Sequence, residues 1–459
     1  MKGLNTMPIQ IIYLIALILF IALFFVYFKR PIYEVMFLGF IFLVVIANAY
    51  NYFVEALLYP ATSSLFYAIF AFMTVAIIFE RTKVVHDIID ILLAIVGKTR
   101  GGAGYVALLS STFMASLSGT GPGNVAATGV FTIPMMKRSN FPPALAATTE
   151  MSASMLGNII PPAGIILLTF GIYDELFSST LTMSQWMLMA YGIGLWFFIQ
   201  RWLTLAFFVR VYRVEPIQAE EIPPLKESLK KGWKALLLPL FIFLPLWIDA
   251  QAASFLTERL GVDGQKAFSS AVLMFTPALA ATYALLIGRK ELEGGKISIP
   301  AIYQLLQQSL KQVVPIAATI YMAYAISQIF IHLEMDEAVR TWLTSFDLSL
   351  VTFIILIPLF FAVLGMVLPG SAQVAILGGA LMVVMDSLGG DPLLFAALLP
   401  AMTGALEGMT PPLALGLFVA MGIAQSTFKE TAKLALLWII AHILLTMILL
   451  FGFLPIIGF

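Results

Sequence analysis

Two short runs in the 459-residue chain combine residues that hold small ions with residues that break helices. The first, Ser118-Gly119-Thr120-Gly121-Pro122-Gly123-Asn124, offers hydroxyls, an amide and free backbone groups. The second is plainer: Gly365, Pro369, Gly370 and Ser371, then Gln373. Each interrupts a long apolar stretch, 103–131 and 346–388, which predicts two half-helices that enter and turn back. Gly157-Asn158 before Pro161-Pro162 and Gly408-Met409-Thr410 before Pro411-Pro412 interrupt two further apolar stretches. Proline lacks an N–H and strands the carbonyl four residues back, so a Pro pair after glycine predicts local unwinding. Freed carbonyls and hydroxyls suit a hard cation such as sodium. Half-helix N-termini suit a carboxylate. An anion between the two tips would then meet Ser118, Gly119, Thr120, Gly121, Asn124, Gly370 and Ser371, with no arginine needed.

Few ionisable groups lie inside the apolar stretches, and such groups are functional candidates. Glu150 precedes the first Pro-Pro break, and Glu407 immediately precedes Gly408 at the second. Glu407 either accepts from backbone amides in the unwound segment or carries a proton or a cation. Arg201, beside Trp202, is expected to snorkel to the interface. His442 and Asp386 are expected to be structural. With no cysteine, three histidines and no nucleophile-and-base pair, enzyme chemistry is not expected.

The elements that must position these groups are membrane helices. The chain is 61% hydrophobic and 11% charged, against about 25% charged for a soluble domain. Its net charge of zero argues against a nucleic-acid partner. Spans of about 20 apolar residues are read near 9–28, 32–50, 62–80, 142–172, 186–209, 234–250, 268–288, 311–331, 392–424 and 434–455. The fold class is therefore an all-α membrane protein embedded in the lipid bilayer. With the N-terminus outside, the Lys and Arg residues fall inside except Lys2, Arg259, Lys266, Arg340 and the intramembrane Arg201, as cytoplasmic loops demand. The C-terminus is then outside as well. Amphipathic helices are expected over Arg81–Arg100 and Glu334–Trp342.

An offset of 250 residues superposes Pro142 on Pro392, Pro161-Pro162 on Pro411-Pro412 and Leu167 on Leu417. Each half holds three spans, a re-entrant hairpin and two more spans. The organisation is 1–60 (N-terminal scaffold helices), 61–209 (the rest of the first repeat), 210–233 (a charged cytoplasmic linker) and 234–459 (the second repeat). Because the linker crosses no membrane, the repeat is inverted, a mark of secondary transporters.

The motifs Glu80-Arg81-Thr82, Lys98-Thr99-Arg100-Gly101-Gly102, Ser116-Leu117-Ser118-Gly119-Thr120-Gly121, Ile133-Pro134-Met135-Met136-Lys137-Arg138 and Ile159-Ile160-Pro161-Pro162 resemble the large permease subunit of TRAP transporters, the DctM-like family. Gly365-Met366, Asp391-Pro392 and Thr410-Pro411-Pro412 continue the resemblance, which runs from about residue 60 onward. It implies a sodium-driven, elevator-type importer of organic acids in a bacterial or archaeal cytoplasmic membrane. The partners it implies are a small four-span subunit, separate here, and a periplasmic substrate-binding protein. Carried over, the first sodium site comprises Ser116, Ser118, Gly119, Asn124, Gly157 and Asn158. The second comprises Gly365, Gly370, Ser371, Gly404, Gly408 and Thr410. Pro122 and Glu407 depart from the family pattern, and Glu407 puts pure sodium coupling in question. Glu150 and the run Glu-Met-Ser-Ala-Ser look closer to the branch that works with TAXI-type binding proteins. The alternative is a stand-alone di- or tricarboxylate carrier of similar architecture, coupled to protons or cations.

Overall fold

The computed structural model describes residues 7–63, 66, 67, 70, 71, 74, 78, 82, 84–118, 121–177, 181–291, 295–346, 348–411 and 414–457, with Ser116 and Ser118 among those described by backbone alone. Every regular element among them is helical. The N-terminal helices are α1 (Ile9–Ala22), α2 (Ile32–Ile46) and α3 (Phe53–Thr62). The span expected over 62–80 lies largely outside the described residues. Then come the amphipathic α4 (Val84–Val96), α5 (Gly102–Ser118), α6 (Gly121–Arg138), α7 (Pro143–Ser154), α8 (Gly164–Phe177) and α9 (Met183–Val211). The linker carries α10 (Leu225–Gly232). The second part has α11 (Leu238–Ile287), α12 (Ile299–His332), α13 (Met335–Thr344), α14 (Leu350–Leu364), α15 (Gly370–Gln373), α16 (Gly379–Ser387), α17 (Pro392–Pro400), α18 (Leu415–Ala424) and α19 (Phe428–Leu450). Among the described residues, five helical segments are long and apolar enough to cross a membrane: Met183–Val211, Ala235–Ile287, Val313–His332, Gly370–Ser387 and Phe428–Leu450. Shorter apolar helices account for most of the remaining expected spans.

Straight, the 50 residues of α11 would reach roughly 75 Å, far more than a bilayer core. They fold back instead. Gly261 has φ +74°, which a glycine adopts without strain, and Ser269 donates to Asp249 at 2.7 Å across the turn. Farther down, the Tyr283 hydroxyl donates to the Lys234 carbonyl at 2.9 Å. Helix α11 is thus an antiparallel hairpin, and its arms match the two spans expected at 234–250 and 268–288. Asp249, only 1% exposed, ties it to α9 by accepting from Ser184 as well.

The start of α3 at Phe53 was not legible in the sequence: Pro60 sits inside this helix and Tyr50–Tyr52 form the turn before it. The cation-rich ends gather on one side of the bundle. Arg100 Nε donates to the Val214 carbonyl at 3.1 Å, and Arg138 pairs with Glu221 at 3.1 Å. The backbone of Glu215 bonds to Gly101 and Ser139.

Arg201 does not snorkel. It is fully buried and donates to the carbonyls of Ser152 (2.6 Å) and Phe197 (3.2 Å) and to Gln200 Oε1 (3.0 Å). Its third nitrogen meets His442 Nδ1 at 3.3 Å. A guanidinium only donates, so His442 Nδ1 accepts and its Nε2 donates to the Ala401 carbonyl at 3.0 Å. The fork therefore joins α7, α9, α19 and the turn after α17. Partners inside the protein satisfy it better than a stretch to the interface would. Arg201→Lys keeps the charge but loses the planar fork. We expect it to lower stability by about 1–3 kcal/mol, read as a lower thermal midpoint of the purified protein.

Candidate functional site

Both stretches expected as hairpins are helical on either side of their Gly-rich runs. In the first, α5 and α6 pack against each other, and Gly119 and Thr120 between them lie outside the described residues. In the second, the arm from Gly370 to Ser387, made of α15, a wide turn at Val374–Gly378 and α16, packs on α13, α12 and α8, whereas α14 packs on α19 and on the turn at Ala401–Ala405. The first Pro-Pro stretch is broken: helix α7 tightens into a turn at Met155–Asn158 before α8 begins. Helix α17 widens at Ala401–Ala405, residues 408–411 are turns, and α18 begins at Leu415, with Pro412 outside the described residues. Pro161 and Pro162 cannot donate to the carbonyls of Gly157 and Asn158. In the second break the Gly408 carbonyl recovers a donor from Leu417 N–H at 3.2 Å. Helices start at Gly121 and Gly370, at Pro143 and Pro392, and at Gly164 and Leu415, offsets of 249, 249 and 251 residues.

The two breaks interlock. Helix α18, from the second broken helix, packs on α6 and α7, whereas α8, from the first, packs on α17 and on the arm of the second hairpin. At the crossing, Asn158 Nδ2 donates to the Gly404 carbonyl at 2.6 Å. This bond joins a residue of the first expected sodium set to one of the second. The Met155 side chain is wedged beside it: a Cβ on Gly121 would lie 2.5 Å from its sulfur, and Cβ atoms on Gly408 or Gly416 would also strike it. The small residues at these positions thus let one methionine fill the space between the first tip and the second break.

At the second tip, Gly370 backs onto Gly404 so closely that a Cβ would sit 2.5 Å from the Gly404 Cα and N. Gly365 lies against the Glu407 backbone. The Gly370 N–H donates to Glu407 Oε2 at 2.6 Å. The half-buried Glu407 carboxylate thereby sits on the N-terminus of the returning arm, where negative charge is favoured. Its partner is the tip of the opposing hairpin rather than its own unwound segment. Thr410 is buried and donates to the Leu406 carbonyl at 2.7 Å. Gly157 is buried and Ser371 is half-exposed.

At the first tip, Gly119 and Thr120 and the side chains of Ser116 and Ser118 lie outside the described residues. Asn124 is fully buried. Its Nδ2 donates to the Ser111 carbonyl at 2.7 Å and reaches the Ser154 carbonyl at 3.5 Å, and its Oδ1 has no hydrogen-bond partner among the described residues. A buried acceptor without a donor beside a broken helix fits a cation ligand of the carbonyl type. Around Asn124 the oxygens on offer are carbonyls, hydroxyls and the Glu150 carboxylate.

Glu150 occupies the layer beneath Asn124 and is fully buried. Its carboxylate accepts from Thr128 (2.5 Å), Thr132 (2.5 Å), Ser111 (2.9 Å) and Ser154 (2.9 Å). Ser111 and Ser154 also supply the carbonyls that hold Asn124, so the acid and the amide share one network. Sequence reading singled out Glu150 and missed its four hydroxyls. The signal was present: Asn124, Thr128 and Thr132 recur every four residues, which places them on one face of α6. Met155 and Arg201–His442 carried no comparable pattern.

Broken helices that cross inside an all-helical membrane protein are a feature of secondary transporters. Solved structures share the fold. One is the Alcanivorax borkumensis YdaH transporter (TM-score 0.58, 16% identity, 86% of this chain and 88% of that one). Another is Neisseria gonorrhoeae MtrF, of a class of antimetabolite efflux pumps (TM-score 0.58, 15% identity, 97% and 95%). The family model described as "Tripartite ATP-independent periplasmic transporter, DctM component" matches residues 6–457, and the chain belongs to that family. It is similar to the C4-dicarboxylate TRAP transporter large permease protein DctM of Pseudomonas aeruginosa, at 25% identity over 84% of this chain and 82% of the relative. It is also similar to the 2,3-diketo-L-gulonate TRAP transporter large permease protein YiaN of Escherichia coli (25%, 80% and 79%). A third relative is the isethionate TRAP transporter permease protein DctMQ of Oleidesulfovibrio alaskensis (25%, 74% and 49%). The chain is a multi-pass inner-membrane transport permease, not an enzyme.

Proposed function

We propose that this chain is the membrane subunit of a sodium-coupled importer of small organic acids, working with a small four-span subunit and a periplasmic binding protein. The observation that carries the reading is the crossing of hairpin tips and broken helices at Asn158, Gly404, Gly370 and Met155. Half-helix ends meet there inside an apolar protein, close to Asn124 Oδ1, which has no hydrogen-bond partner among the described residues. The relatives' names point the same way: C4-dicarboxylate, 2,3-diketo-L-gulonate and isethionate are all small organic anions. Sodium, as cargo, would be held by oxygens of the two sets around Asn124 and Asn158 and around Gly365, Gly404 and Thr410. The anion would sit between the tips, against Ser118–Gly121, Gly370 and Ser371.

In this reading the halves 1–209 and 234–459 form an inverted repeat joined by the linker 210–233, with both termini outside. The hairpins and broken helices travel as one body against the remaining helices, in the manner of an elevator. Proteoliposomes containing the chain, its small subunit and a binding protein loaded with a C4-dicarboxylate test the assignment. Uptake should vanish when either partner is omitted. Uptake by the chain alone would make it a stand-alone carrier.

Glu407 adds a charge beside the second ion set. If it exchanges a proton during transport, Glu407→Gln flattens the pH profile of uptake while the protein assembles normally. A profile identical to that of the parent leaves Glu407 as a cap on Gly370.

A further inference from the structure

Cations from one helix and two turns line one hollow at the foot of the α11 hairpin. Lys230 and Lys231 come from α10, Lys234 from the turn that leads into the hairpin, and Arg289 and Lys290 from the turn that leaves it. The hollow has a volume of about 1140 Å³. Asp87 on α4 is the one acid among its described lining residues, and Lys231 already takes it at 2.9 Å, with Asp90 at 3.7 Å. Those two carboxylates hold the Lys231 ammonium above its ordinary range, so it stays charged. Lys230, Lys234, Arg289 and Lys290 have no ion pair among the described residues. Four like charges around one hollow repel one another unless an anion enters.

The position of the hollow says which kind of anion. The apolar run Ala235–Ile287 begins and ends at its rim, so it lies where the hydrocarbon region meets water. Trp233 (49% exposed) and Leu286 (54% exposed) line it and open an apolar flank. The Tyr283 ring stacks on Phe241 at 4.2 Å while its hydroxyl reaches the Lys234 carbonyl, the half-wet posture of an interfacial aromatic. A site for a free inorganic anion has no use for that flank. Basic pockets between membrane helices suit phospholipid headgroups.

We propose that this hollow binds the phosphate headgroup of an anionic phospholipid, held by Lys230, Lys234, Arg289 and Lys290, with its acyl chains lying over Trp233 and Leu286. The proposal rests on the chain being a membrane protein and not on sodium coupling or any substrate.

The full chain in lipid nanodiscs tests it. Brominated phosphatidylglycerol is titrated into a phosphatidylcholine background, and the Trp233 component of fluorescence is isolated by subtracting the Trp233→Phe protein. Quenching should saturate at low brominated phosphatidylglycerol and be far weaker with brominated phosphatidylcholine. Combining Lys234→Gln, Arg289→Gln and Lys290→Gln should weaken the preference about a hundredfold, near 1 kcal/mol per charge. Salt added to the parent protein should weaken it too, and this arm needs no variant to fold. Equal quenching by the two lipids overturns the proposal. So does displacement of brominated phosphatidylglycerol by inorganic phosphate as effectively as by phosphatidylglycerol, which would mark a soluble-anion site.

Discussion

Gly370→Ala is expected to abolish uptake while leaving the protein folded. The added Cβ would lie 2.5 Å from the Cα and N of Gly404 and 2.9 Å from the Thr403 carbonyl carbon. All three are backbone atoms, so no side chain can swing aside. The second tip must lift off the second break by about 1 Å, and displacements of that size around a reacting or binding centre cost on the order of a hundredfold. The same shift stretches the Gly370–Glu407 bond and disturbs the Gly404 carbonyl that Asn158 holds. The stability cost is only that of local overpacking, about 1–3 kcal/mol. Gly422→Ala on α18 is the matched control, because nothing lies within 4 Å of its Cβ position. Parental uptake by Gly370→Ala would mean that the tip and the break need not touch.

Glu150→Leu should cost stability instead. Four hydroxyls lose their shared acceptor inside an apolar protein. Thr128 and Thr132 can fall back on the carbonyls of Asn124 and Thr128, which they already reach at 2.8 and 3.1 Å. Ser111 and Ser154 are left to find new partners. At about 0.6 kcal/mol per hydrogen bond in a membrane interior, with more for hydroxyls left unsatisfied, the loss comes to roughly 2–3 kcal/mol. It is read as a lower thermal midpoint and reduced yield. Glu150→Gln retains one acceptor and the side-chain volume, and should lose about 1 kcal/mol. A Glu150→Leu protein as stable as the parent would show that the network contributes nothing to the fold.

The sequence carried these elements unevenly. The breaks in the apolar stretches were legible because glycine and proline act on the backbone wherever they stand, without help from distant residues. The two arms of α11 and the turn between them were legible from hydropathy, but the bond from Ser269 to Asp249 that closes the turn was not, since it joins residues twenty positions apart. Glu150 stood out by charge, but its ligands are neutral hydroxyls that could as well have faced lipid. Arg201 was misjudged for the same reason: nothing in one helix says that a neighbour will offer the Ser152 carbonyl and His442 Nδ1. The Met155 wedge depends on three glycines from separate segments converging, which no single-segment pattern encodes.

Sodium coupling through the Asn158 crossing is the central claim, and one measurement tests it most directly. Initial uptake is followed in proteoliposomes with all three components, at fixed pH and with the membrane potential clamped, as external sodium is varied. The parent protein should show saturable uptake that disappears without sodium. Asn158→Ala, which loses the bond to the Gly404 carbonyl, should need about tenfold more sodium for half-maximal rate, since one charge-neutral ligand is worth about 1.4 kcal/mol. Uptake that proceeds equally without a sodium gradient, or an Asn158→Ala curve that overlays the parent's, would contradict the account.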